Sequence, residues 1–221
     1  MSKVIALVHV SIDGVLQQTT WPGSFWCREH AELHHGLLFA SRALLLSRSG
    51  LERVMNAQAG YPGDFAARMR QIPKYVVSQT PLEPGWNTIP LKDDLPGKVA
   101  GLRAEPGGSL LVYGDDELTG VLIRHGLVDE LKLFIRPVLP GAGPRLLNEA
   151  VDHTEWQLTG VMTLHSGAVV LDYRPDPRAW RKESSWRTNS STTAPSPNAR
   201  RSSGQVAPGS PSMWASTWST S

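Results

Sequence analysis

The chain has 221 residues, 40% hydrophobic and 19% charged, which suits one substantial globular core. Its formal charge of +2 is uneven: Arg178, Arg181, Lys182, Arg187, Arg200 and Arg201 against Asp176 and Glu183 leave residues 1–175 at −2, which excludes a basic nucleic-acid-binding face there. Cys27 is the only cysteine, which excludes an internal disulfide and a cysteine metal cluster and predicts a reducing, cytoplasmic setting.

Lys3 to Val10 predicts a first strand, too short and too interrupted by His9 and Asp13 for a signal peptide or membrane span. Asp13-Gly14 is a turn, and Gln17 to Trp26, with Pro22-Gly23, predicts a loop. Arg28 to Ser41 is helical, with Leu33, Leu37 and Leu38 on one face. Ala43 to Leu46 is the second strand. Leu51 to Ala57 and Asp64 to Arg70 are short helices, separated by Gly60 and Pro62-Gly63. Lys74 to Val77 and Asn87 to Leu91 are strands, and Asp94 to Ala104 is a helix carrying Leu95, Val99 and Leu102.

The stretch from Leu110 to Leu147 organises the rest. Leu110 to Tyr113 is a strand stopped by Gly114, and Asp115 and Asp116 start a helix with Leu118, Val121 and Leu122 on one face. Gly126 ends that helix, with Leu127 placed for a C-terminal cap contact. Leu131 to Val138 is the next strand. This strand–helix–strand predicts a right-handed crossover between neighbouring parallel strands. Glu155 to Leu164 and Ala168 to Tyr173 form a closing hairpin. The alternation predicts an α/β fold, mostly parallel, with an antiparallel edge.

From Asp176 the composition turns to Ser, Thr and Pro, with Val206 and Met213 as the only large aliphatic residues. Such a segment cannot bury enough apolar surface to offset its ordering entropy, so residues 176–221 are expected to be a disordered tail after a domain of residues 1–175.

Several stretches occur in a telling order: Val10-Ser11-Ile12-Asp13-Gly14, Ala43 to Arg48, Lys74 to Ser78, Gly114, Gly126 to Leu131, and Pro137 to Gly143. In that order the chain, over about residues 3 to 174, resembles the reductase family typified by the C-terminal domain of the bifunctional riboflavin-biosynthesis deaminase–reductase, related in fold to dihydrofolate reductase. The most specific pair is the GLVDEL stretch of Gly126 to Leu131 with Pro137-Val138-Leu139-Pro140-Gly141-Ala142-Gly143.

The resemblance implies a dihydrofolate-reductase-like three-layer α/β/α sandwich and a homodimer. It implies NADPH, with NADH as the variant, lying across the carboxyl ends of strands. Hydride would pass to a small heterocyclic or pyrimidine-type substrate. Asp13 and Gly14 would border substrate and nicotinamide, and Glu130 would approach the substrate. Ser47 and Arg48 would hold adenosine-side phosphates, and Ser78, Gln79 and Thr80 would sit by the ribose. Gly114, Asp115 and the helix through Leu118 would face the pyrophosphate. Elementary chemistry agrees in outline: amides at a helix start after a glycine form a natural phosphate site. The cofactor carries the redox chemistry, so one carboxylate such as Asp13 suffices to orient a substrate or relay a proton.

Three positions depart from the family's usual pattern. Ser47 replaces a glycine, Gln79 replaces an arginine suited to a 2′-phosphate, and Asp115, Asp116 and Glu117 follow Gly114 where Gly or Ser is usual. Like charges at about 4 Å cost about 4 kcal/mol at an effective dielectric of about 20, so these acids predict weakened cofactor binding. A non-catalytic dimeric descendant with a degraded groove is the alternative in a different class.

Two other motifs carry less. Gly141-Ala142-Gly143 lacks a third glycine and is followed by Pro144, so it reads as a turn. His30 and His34 have the i, i+4 spacing that can hold zinc, but Ala31 stands where a zincin glutamate belongs, so a polar helix face without metal is expected.

Overall fold

A computed structural model describes residues 1–16, 27–57, 63–82, 85–114, 116–146 and 154–177. The loop expected over 17–26, Asp115, and the tail beyond 177 lie outside the described residues.

The elements, in chain order, are β1 (Val4–Ser11), α1 (Arg28–Ala40), β2 (Ser41–Ser47), α2 (Arg48–Ala57), α3 (Gly63–Gln71), β3 (Lys74–Val77) and β4 (Thr88–Leu91), then α4 (Leu95–Ala104), β5 (Ser109–Tyr113), α5 (Asp116–Arg124), β6 (Glu130–Arg136), β7 (Trp156–Thr163) and β8 (Val169–Pro175). They build one eight-stranded sheet in the order β4-β3-β2-β5-β1-β6-β8-β7. The first six strands are parallel, and β8 and β7 close the sheet antiparallel.

The sheet separates two cores. On one face Val4, Ala6, Val8 and Val10 meet Val99 and Leu102 of α4 and Leu118, Leu122 and Ile123 of α5. On the other, Leu7, Leu44, Leu46 and Leu111 meet Leu38 of α1, Leu51 and Val54 of α2, and Phe65 and Met69 of α3. This is the expected three-layer sandwich. Burial of β1 on both faces explains the apolar run from Val4 to Val8.

Local chemistry sets the helix ends. Ser47 Oγ accepts from the Gly50 amide at 3.0 Å, capping α2. Asp94 caps α4 by accepting from Gly97 at 3.1 Å. At the end of α5, Gly126 takes φ +64°, its amide donates to Ile123 and that of Leu127 to Leu122, so the buried Leu127 closes a Schellman turn.

One expectation is corrected. β5 and β6 are parallel, but β1 lies between them, paired with both. Asp129, just ahead of β6, explains the insertion: its carboxylate accepts from the Val4 amide at 2.8 Å, and its amide donates to the Val4 carbonyl at 2.9 Å. The most buried strand thus takes the central slot, and α5 crosses over it. Among the described residues no helix is long and apolar enough to cross a membrane.

Candidate functional site

Parallel strands carry all their carboxyl ends to one edge. There β3, β2 and β5 are consecutive neighbours, so Ser78, Ser47 and Gly114 stand at three adjacent tips. Gly114 adopts φ +58°, and a Cβ placed on it would meet nothing within 4 Å. That combination provides both the left-handed turn and open space for close approach of a ligand.

Arg48 spans the rim. Its Nη2 donates to Thr80 Oγ1 at 2.6 Å and to the Pro81 carbonyl at 2.5 Å, and its Nε donates to Ser78 Oγ at 3.3 Å. Ser47, Arg48, Ser78 and Thr80 are therefore gathered as the sequence implied. Gln79, beside them, donates to Asp93 at 3.4 Å. Arg53 of α2 was not foreseen. It is exposed, and its Nη2 donates to the Gly114 carbonyl at 3.1 Å, adding a second guanidinium to the rim. No spacing in the sequence signalled it, since it stands five residues beyond Arg48, which places it on another side of the helix.

Asp13 sits in the turn after β1, at the same edge. Its Oδ1 accepts from the Ser11 hydroxyl and its Oδ2 from the Gly141 amide at 3.0 Å. The Ser11 hydrogen bond is the main cause holding this carboxyl below its ordinary range. Arg145 donates to the Asp13 carbonyl. Asp13 thus braces β1 against the Gly141 loop.

Two predicted residues are placed elsewhere. Glu130 begins β6, opposite Ile5, so it stands at the amino edge of the sheet. There it accepts from Lys3 at 2.8 Å and Arg174 at 3.0 Å, a structural ion pair across three strands. The Leu118 side chain is only 4% exposed and packs in the α4–α5 core, so it cannot line a groove. An i, i+3 apolar face points inward, which is the physical reason.

The histidines also depart from expectation. His30 and His34 are 1% and 4% exposed, not a polar face. They meet His9 of β1 with ring centroids 5.3 Å apart in each case, over Phe134. His30 Nε2 and His34 Nε2 are 2.9 Å apart, and His34 Nδ1 lies 2.8 Å from Tyr113 Oη. Tyr113 directly precedes Gly114, so this cluster lies beneath the same rim, on the α1 side. Burial first, then the neighbouring imidazoles and Arg136, push His9 and His34 well below the usual histidine range.

Residues 2–170 match the family described as the RibD C-terminal domain. The chain belongs to that family. The Bacillus subtilis (strain 168) protein YyaP is 33% identical over 100 residues, which span 45% of this chain and 53% of YyaP, about half of that relative. Two solved structures share the fold. A pyrimidine reductase-like protein from Corynebacterium diphtheriae superposes with a TM-score of 0.59 at 14% identity, covering 79% of this chain and 92% of that one. Dihydrofolate reductase from Enterococcus faecalis, solved with NADP(H), gives 0.54 at 12% identity, covering 79% and 96%. The family's domain therefore accounts for the sandwich, the parallel carboxyl edge and the closing hairpin together.

Proposed function

We propose that this chain is an NADPH-dependent reductase that transfers hydride to a small heterocyclic substrate of the 5-amino-6-(5-phosphoribosylamino)uracil type. The observation that carries the reading is the set of adjacent tips Ser78, Ser47 and Gly114, with Arg48 across them. The neighbour solved with NADP(H) and the pyrimidine reductase-like neighbour support the cofactor and substrate class.

The residues present fit a dinucleotide. Gly114 leaves open space at a turn into α5, where amides at a helix start favour a phosphate. Arg48 and Arg53 place positive charge on the rim for the adenosine-side phosphates. Ser78 and Thr80 supply hydroxyls for a ribose, and Gln79 is their neighbour. Bound nicotinamide supplies the hydride. Asp13, kept ionised and rigid by Ser11 and Gly141, borders the substrate and orients it. Glu130 has no part in this reading.

The same reading carries a cytoplasmic homodimer. β7 is an edge strand, and its Leu158, Val161 and Met162 are exposed large apolar residues that a second copy would cover.

Titrating the purified chain with NADPH and with NADH, while following nicotinamide fluorescence, tests the proposal. Saturable NADPH binding is expected. Binding without turnover of any pyrimidine substrate would favour the non-catalytic descendant, and no binding of either nucleotide would end the reductase reading.

A further inference from the structure

We propose that His9, His30 and His34 bind one divalent transition-metal ion, zinc by preference, through three imidazole nitrogens. The proposal does not depend on the reductase reading.

The geometry comes from two elements. The i, i+4 spacing puts His30 and His34 on one face of α1, and β1 points His9 into the same layer. One ligand atom from each histidine lies within 4.8 Å of the others. Zinc bonds imidazole nitrogen at about 2.0–2.1 Å, so tetrahedral partners stand about 3.3 Å apart. The 2.9 Å between His30 Nε2 and His34 Nε2 needs only a small opening to reach that value.

The chemistry of the donors agrees. Imidazole suits zinc, copper and nickel, and it must be neutral to coordinate. Tyr113 fixes the direction of His34: with Nδ1–H donating to the tyrosine oxygen, the Nε2 lone pair faces His30. His30 Nε2 must then carry the shared hydrogen, and it turns to the other tautomer when a metal enters. No proton is lost overall in that exchange.

A second observation points the same way. His9 is 9% exposed, yet its Nδ1 is buried with no hydrogen-bond partner among the described residues. Such an orphan is destabilising in a histidine cluster that is merely core. A metal gives the cluster a common partner, and the Phe134 ring packs against His9 with centroids 4.8 Å apart. Arg136 is the charged group that opposes a cation. It is buried and close enough to bias both His9 and His34. Its charge therefore selects an anionic fourth ligand, such as hydroxide or a carboxylate, over a neutral one.

The test uses the full, untagged chain, stripped with chelator and dialysed against Zn2+ or Co2+. Expected are one metal per chain by elemental analysis, visible absorption of tetrahedral Co2+, and a raised Tm. Tyr113→Phe removes only the orienting hydroxyl, and it should weaken Co2+ binding about 10–100-fold while the fold persists. His30→Gln should abolish the cobalt spectrum, and His35→Gln, exposed on the same helix, should leave it intact. A folded wild-type chain with no cobalt spectrum overturns the proposal. So does binding that survives His30→Gln and Tyr113→Phe undiminished, which would place the ion on the surface.

Discussion

Arg48, the first residue of α2, holds Thr80 beyond the end of β3 by a 2.6 Å hydrogen bond from Nη2 to Oγ1. That bond joins the tips of two neighbouring parallel strands and leaves Arg48 Nη1 without a partner among the described residues. A guanidinium so anchored is preorganised for a phosphate.

Arg48→Met should therefore weaken NADPH binding. A hydrogen bond to a charged group contributes about 1.5–3 kcal/mol, which is about ten- to hundredfold in affinity. The Arg48–Thr80 contact is exposed, so Tm should change little. Fluorescence titration with a parallel melt checks both; an unchanged dissociation constant would remove Arg48 from the cofactor site.

The acids that follow Gly114 in the sequence predict weaker binding of the same ligand. Wild-type NADPH affinity should be weaker than micromolar, and Asp115→Ser should tighten it about tenfold, a fraction of the repulsion between like charges at about 4 Å. Raising salt should narrow the gap between the two proteins, because screening acts on the wild type most. Equal affinities at low salt would contradict this.

Glu130→Gln should leave kcat and KM unchanged. Its carboxylate is engaged with Lys3 and Arg174 at the amino edge of the sheet, away from the Ser47, Ser78 and Gly114 tips. Steady-state kinetics with NADPH decide the matter: a large fall in kcat would mean that the amino edge takes part after all.

Lys74 predicts an alkaline gain in stability. It is fully buried, with Nζ donating to the Ile72 and Trp86 carbonyls at 2.9 Å each and lying 5.7 Å from the Trp86 ring. Burial first, and then Arg68, lower its pKa to about 8. The unfolded value is about 10.4. Between about 8 and about 10.4 the unfolded chain holds a proton that the folded chain has shed, so stability rises with pH across that window. Below about 8 both states are charged and the full cost of burial, on the order of 3 kcal/mol, remains. Urea midpoints at the two ends of the window should differ less for Lys74→Met than for the wild type. An identical pH slope in the two proteins would show that Lys74 does not titrate there.

Much of the fold is written locally. Lys74-Tyr75-Val76-Val77 ends in an aromatic and two β-branched residues between Pro73 and Ser78, and it forms β3 over those same residues. Gly126 and Leu127 specify the end of α5 by their own chemistry. That Ser47, Ser78 and Gly114 share one edge was legible too, because a parallel sheet must bring its carboxyl ends together; the strand order then made them neighbours. Other features depend on partners distant in the chain. β1 entered between β5 and β6 because long-range packing gives the central slot to the strand that is buried on both faces. The pairing of β1 with β6 and its packing under α1 carried His9 to meet His30 and His34, a contact that no local pattern announces. Periodicity reports which residues share a face, and the sequence alone determined that much; what each face is pressed against is decided only when the layers assemble, since burial is a property of the whole packing and not of any one segment.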